Sequence, residues 1–435
     1  MNTATEPTGD LGLPAYPAAR SARCPLDLPA EYAQWRLGDG LQKVRLWNGE
    51  TAWVVTRHED VKFVLSDQRI SADTLRYPRM HPSAQQQVPA FPRMDDPEHA
   101  RIRLMLTKDF TVKRMEAMRP QVRALVDRFL DEMTAEGDSA DLVESFALPM
   151  PSLVISLLLG VPYEDHAFFQ EHSVTINQPD VTPQDKGRAS AELFGFLMEL
   201  VRRKQREPGD DLISRLIAER VETGELKPEE VAMNGLVLLI AGHETTANMI
   251  GLGTLTLLEH PEQAAVVRDS DDPKVVAGAV EELLRYLSIA QDMIWRAAHE
   301  DLVIGGQEVK AGDIIAVNLP AANHDPSFME NAGVLDIGRN TRGHIAFGYG
   351  IHQCLGQNLA RVELTEALPR LLRRLPGLRL AVPLEEVPFR GTMAAFGVHA
   401  LPVTWWANPT TATAAAVPVP GARWAARARG RRGPW

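Results

Sequence analysis

Cys354 is one of only two cysteines in 435 residues, and it stands where a glycine-rich stretch meets an apolar helical one. Gly348 and Gly350 precede it and Gly356 follows. Downstream, Leu355, Leu359, Val362, Leu364, Ala367, Leu368, Leu371 and Leu372 largely keep helical spacing. A sulfur at that join faces the unpaired N–H groups and positive end of the helix, which favour thiolate over thiol. The glycines let backbone approach something flat and bulky, and permit positive φ where the loop bends back under the sulfur. A thiolate held that way suits one axial position of a haem iron, where it pushes electron density toward O–O cleavage. Two blander chemistries use the same residue. A lone cysteine can be a small buried hydrophobe, and His352, two positions away, would allow a Cys-His nucleophile.

A second unusual stretch is Val231 to Ile250. It is apolar on nearly all sides, which describes a buried central helix, yet Gly242, Glu244, Thr245 and Thr246 sit in its middle. Helix propensity or burial penalises each of them. A kink with a threonine hydroxyl bonded to the preceding turn explains the threonines. It leaves Glu244 unexplained. Elsewhere, His99 and Arg103 lie four apart on one helix face, either as a solvated basic face or as a pair aimed at a carboxylate. Glu282 and Arg285 are spaced like a routine surface ion pair.

Together these residues resemble the cytochrome P450 family. Phe347, Gly348, Gly350, His352, Cys354 and Gly356 match its haem-binding loop at six positions in ten, and Ala241-Gly-His-Glu-Thr-Thr246 is similar to its oxygen-activation motif. The resemblance implies Cys354 as proximal ligand of haem b (iron protoporphyrin IX). His99, Arg103, Arg296 and His352 would then serve the propionates, with Phe347 and Gly348 in the haem loop. Small Ala241 and Gly242 would leave room for dioxygen, and Glu244 with Thr245 would deliver protons. Met293, Ile294, Ala394 and Ala395 would line the substrate pocket, the last two at the tip of a terminal hairpin over Met393 to Val403. Glu282 and Arg285 would be a buried pair completed by Arg339.

The elements that must position these groups follow from pattern. Val44 to Trp47 and Ala52 to Thr56 flank Asn48-Gly49 as a hairpin. Asp95 to His99 starts the helix carrying Arg103. Residues 71–94 form a long irregular connection, and two helices between Tyr163 and Arg206 flank a proline-broken loop. Strands are expected at Leu302 to Ile304 and Asp313 to Val317. The implied fold is mainly α with a small β region, a single domain over 1–407 with haem buried between the central helix and the cysteine loop. Residues 1–30 read as an irregular arm. Residues 408–435, with five arginines and no acids, read as a disordered basic tail.

Composition narrows partners. A net charge of −11 argues against nucleic acid. Residues 1–10 offer neither a basic region nor an apolar run, and no stretch has the uninterrupted apolar length of a membrane span, so a cytoplasmic monomer is expected. No Gly-x-Gly-x-x-Gly fingerprint follows a strand. Electrons must therefore come from separate proteins, for which the resemblance implies a ferredoxin and its NAD(P)H-dependent reductase. The expected reaction inserts one oxygen atom of O₂ into an apolar small molecule. The alternatives are a peroxide-driven oxygenase, a nitric oxide reductase, or a haem-binding sensor that would need Cys354 but no acid-alcohol pair.

Overall fold

A 31-residue helix, Pro228–Leu258, runs through the centre of the molecule, and nearly every residue of its second half is buried. The computed structural model describes residues 12–80, 90–162, 165–177, 181–391 and 393–405. The basic tail, the first eleven residues and part of the 71–94 connection lie outside the described residues. Among those described, the helices in chain order are α1 (Ala30–Leu37), α2 (His58–Ser66), α3 (Glu98–Thr107), α4 (Val112–Ala135), α5 (Pro149–Leu159), α6 (His166–Asn177) and α7 (Pro183–Arg206). They continue with α8 (Leu212–Leu216), α9 (Pro228–Leu258), α10 (Pro261–Asp269), α11 (Pro273–Leu287), α12 (Leu319–Asn323) and α13 (Gln357–Arg374).

The central helix α9 packs on α5, α7 and α13, and these helices share one apolar core. Apolar side chains all round α9 require such neighbours on every side. Its start is fixed locally. Pro228 supplies the preset φ at the first turn, and the Glu230 carboxylate accepts the Lys227 N–H at 2.8 Å.

One six-stranded sheet lies beside the helices in the order β1-β2-β3-β9-β6-β4. Its strands are β1 (Ala15–Tyr16), β2 (Gln42–Leu46), β3 (Thr51–Val55), β4 (Ile70–Ser71), β6 (Trp295–Ala298) and β9 (Ile314–Val317). The hairpin β2–β3 turns at Asn48-Gly49, where Gly49 has φ +84°, as its sequence signal predicts. Between β6 and β9 the chain makes a separate hairpin, β7 (Leu302–Ile304) with β8 (Gln307–Val309), across Gly305-Gly306. β8 is additional to the strands expected at Leu302 to Ile304 and Asp313 to Val317. β9 lies parallel to β3 and antiparallel to β6. A short sheet orders β10 (Arg379–Leu380), β11 (Pro402–Thr404) and β5 (Ser139–Asp141). The terminal hairpin is also less regular than expected. Arg390 N–H bonds Gly397 O at 2.8 Å and Phe389 bridges Val398, so its turn begins at Arg390, just before Met393.

The candidate active site

The cysteine loop is folded back on itself by its own main chain. Cys354 N–H donates to Phe347 O at 2.8 Å, and Gly348 N–H to Ile345 O at 2.8 Å. Gly348 and Gly350 have φ of +74° and +72°, a region that side chains disfavour. A Cβ on Gly350 would also run into the Leu65 carbonyl of α2. Gly356 has an ordinary φ and opens α13.

The N–H groups of Gly356 and Gln357 aim at the Cys354 sulfur, with Arg103 and Arg361 near enough to act on its charge. Burial nevertheless raises the thiol above its usual range, and those four groups only oppose it. The helix end therefore favours the thiolate in direction, with burial acting against it. The sulfur lies deep within the protein yet keeps accessible surface. These facts agree if it faces an internal space. Ala241 on α9, Met293 and Ala394 also keep accessible surface on elements that are otherwise largely buried.

Four basic side chains gather beside the loop. The His99 and His352 rings lie 4.0 Å apart by centroid. Arg103 Nη2 donates to Gln353 O at 2.5 Å, and Arg296 Nη1 to Trp295 O at 2.9 Å. Burial pushes Arg296 down to about 10. His352 is pushed to about 2 by burial first and then by Arg296, His99 and Arg103. His99 is lowered by burial although Asp96 partly compensates through a 3.1 Å contact to Nδ1. Among the described residues, His99 Nε2 and His352 Nδ1 are buried with no hydrogen-bond partner. Orphaned ring nitrogens beside two buried guanidiniums form a cradle suited to carboxylates. With a buried sulfur alongside, the residues fit a haem and its propionates.

Strand alternation sets Arg296 on this side and its neighbours on the other. Trp295 joins the core formed by Tyr16, Tyr32 and Val44. Its Nε1 donates to Asp292 at 2.6 Å. Burial pushes Asp292 up to about 7 against that bond. This carboxyl was not foreseen.

On α9 the helix stays continuous, and Thr245 Oγ1 donates to Ala241 O at 2.7 Å. At Gly242 a Cβ would lie 3.1 Å from Ile155 Cγ1, so its smallness lets α5 pack closely. Glu244 is not unpaired: Arg390 Nη2 stands 2.5 Å from its Oε1. Burial is the larger influence and raises its carboxyl, while Arg390 holds it down. No local signal marks Arg390. Arg285 pairs with Glu282 on α11, and Arg339 lies 3.7 Å from Glu282. A further clamp, Glu281 with His344 at 2.8 Å and Arg361 at 2.5 Å, ties both ends of the cysteine loop to α11. A surface groove lined by Arg119, Arg123, Arg370 and Arg373 contains none of these site residues.

The cytochrome P450 family model matches residues 42–376. The chain belongs to the cytochrome P450 family. It is 50% identical over 408 residues to cytochrome P450-SU2 of Streptomyces griseolus, covering 93% of this chain and all of that one. The vitamin D3 dihydroxylase of the same organism is 46% identical over 411 residues, again covering 93% of this chain and all of the relative. The crystal structure of GfsF, a cytochrome P450 of Streptomyces halstedii, superposes with a TM-score of 0.85 at 50% identity, covering 90% of this chain and 100% of that chain. This P450 is a haem-thiolate monooxygenase, and like its family it uses a small-molecule substrate and redox partners. Among the described residues no helix is long and apolar enough to cross a membrane.

Proposed function

We propose that this P450 hydroxylates a bulky apolar small molecule, with Cys354 ligating the iron of haem b. The observation that carries the reading is the pairing of the Cys354 sulfur, met by the Gly356 and Gln357 N–H groups, with a cradle of His99, Arg103, Arg296 and His352. When bound, the haem supplies the redox chemistry that activates dioxygen. The chain's own residues do the rest. Cys354 would hold the iron through its sulfur, and the four basic groups would pair with the propionates. Phe347 and Gly348 shape the cysteine loop that would hold the haem.

Glu244 is the proton donor. Burial raises its carboxyl above the ordinary carboxylate value, which makes it a better proton donor than a free carboxylate. Thr245 holds the proton path through a hydroxyl that can exchange its Ala241 acceptor for a water. Ala241, Met293, Ile294, Ala394 and Ala395 bound the substrate side. A relative named vitamin D3 dihydroxylase supports a bulky, largely hydrocarbon substrate. A ferredoxin with its NAD(P)H-dependent reductase supplies single electrons to a cytoplasmic, monomeric enzyme, and residues 408–435 take no part in the chemistry. The test is turnover with a surrogate ferredoxin and reductase under isotopically heavy O₂. One heavy oxygen per product is expected. Product formed only from added peroxide would contradict the reading.

A further inference from the structure

Arg390 touches both the acid on α9 and the segment beside the pocket. Its Nη2 lies 2.5 Å from Glu244 Oε1, and its Nη1 donates to Asn248 Oδ1 at 3.1 Å, one turn further along. Its Nε approaches Met393 Sδ at 3.1 Å, and its main-chain N–H closes the loop onto Gly397 O. The loop lies flat on α9, since a Cβ on Gly397 would collide with the Asn248 amide. At the other side of the loop, Ala394 O accepts the N–H groups of Gln291 and Asp292, both at 3.1 Å, and Ala395 bridges Ala290. Gln291 Nε2 donates to Gly391 O and Met393 O at 2.9 and 2.6 Å. One edge of the loop therefore holds the acid while the other carries Ala394 and Ala395.

Glu244 and Thr245 are not bonded to one another in this arrangement, because one is held by Arg390 and the other by Ala241. For a proton to pass between them the carboxyl must swing away from the guanidinium. Arg390 is tied to the loop through Nε and through its own main chain, so displacing the loop displaces the charge. Among the described residues it is the charged group within ion-pair distance of Glu244, with His243 and Asn248 its neighbours on α9. We propose that Arg390 is a positioning residue that makes release of the Glu244 carboxyl depend on a ligand pressing the loop at Ala394 and Ala395. The proposal rests on the reading of Glu244 as proton donor.

The test uses the haem-loaded protein and the bulky azole clotrimazole, whose binding is read as a Soret shift. The infrared carboxyl band assigned by its loss in Glu244→Gln is titrated with and without azole in wild type, Arg390→Lys and Arg390→Gln. Azole should move the wild-type titration to higher pH. Arg390→Gln should start there, with proton affinity raised roughly tenfold or more, and respond little to azole. Arg390→Lys should restore the response, which a merely structural clasp would not require. An azole that shifts the Soret band but leaves the wild-type titration in place would overturn the proposal. So would an Arg390→Gln protein that responds as wild type does. A Soret band unmoved by azole would instead overturn the pocket reading, and this proposal with it.

Discussion

Arg285 donates hydrogen bonds of 2.7 and 2.8 Å to Glu282, one turn before it on α11, with neither side chain reaching solvent. The guanidinium also donates to Asn323 O at 3.0 Å and Ala332 O at 2.7 Å, while Glu282 accepts the Asp336 N–H at 2.9 Å. Asn323 in turn accepts the Ile345 N–H at 2.8 Å, so the pair is joined to the strand-like entry of the cysteine loop. Removing one partner leaves a buried charge. Arg285→Ala should cost about 3–5 kcal/mol and lower haem content with it. Arg285→Lys should rescue little, since an ammonium cannot serve these directions at once. Denaturant titration with haem absorbance checks both.

The Glu281 clamp predicts an acid limit. Burial alone would raise its carboxyl, but His344 and Arg361 pull it down to about 2. A folded value below the unfolded one means that its contribution is present above the unfolded value and lost as pH falls toward the folded one. Wild type should lose stability between about pH 4.5 and 2 more steeply than Glu281→Gln. Equal slopes by denaturant titration would contradict the clamp.

Thr245→Ala should keep ligand binding nearly intact while product per reductant falls roughly tenfold or more, with peroxide released instead. Glu244→Gln should slow reductant consumption as well, because the proton supply itself is cut. Product, peroxide and NAD(P)H are measured together. Wild-type coupling in Thr245→Ala would remove it from the proton path.

Ala394→Phe should weaken a bulky hydrocarbon ligand on the order of tenfold while sparing a small one. Spectral titration with the two sizes is the check. Equal loss for both would mean that the loop, anchored through Ala394 O, had come loose.

The sequence made the cysteine loop legible because its demands are local. Gly348 and Gly350 announce positive φ, and Cys354 precedes an apolar period that becomes α13. Central helix α9 was equally plain, since its apolar character is continuous. Burial of the Glu282–Arg285 pair was not readable from an i, i+3 spacing, and came only through the family resemblance. Contacts between distant segments left no trace. Nothing near Arg390 names Glu244 as its partner, and the closeness of Ile155 to Gly242 depends on how α5 crosses α9. Likewise the short strand β8, which pairs with β7 across Gly305-Gly306, carries no sequence pattern of its own. Glu363, buried within α13 with one oxygen unpartnered among the described residues, interrupts the apolar face that periodicity predicts there.

The most direct test of the central claim is the Soret band of the reduced carbon monoxide complex in wild type and Cys354→His. Thiolate ligation through Cys354 predicts the long-wavelength band typical of a sulfur ligand in wild type. It also predicts loss of that band, or conversion to a histidine-type one, in the variant. A histidine-type band in wild type, or a band unmoved by Cys354→His, would contradict the account.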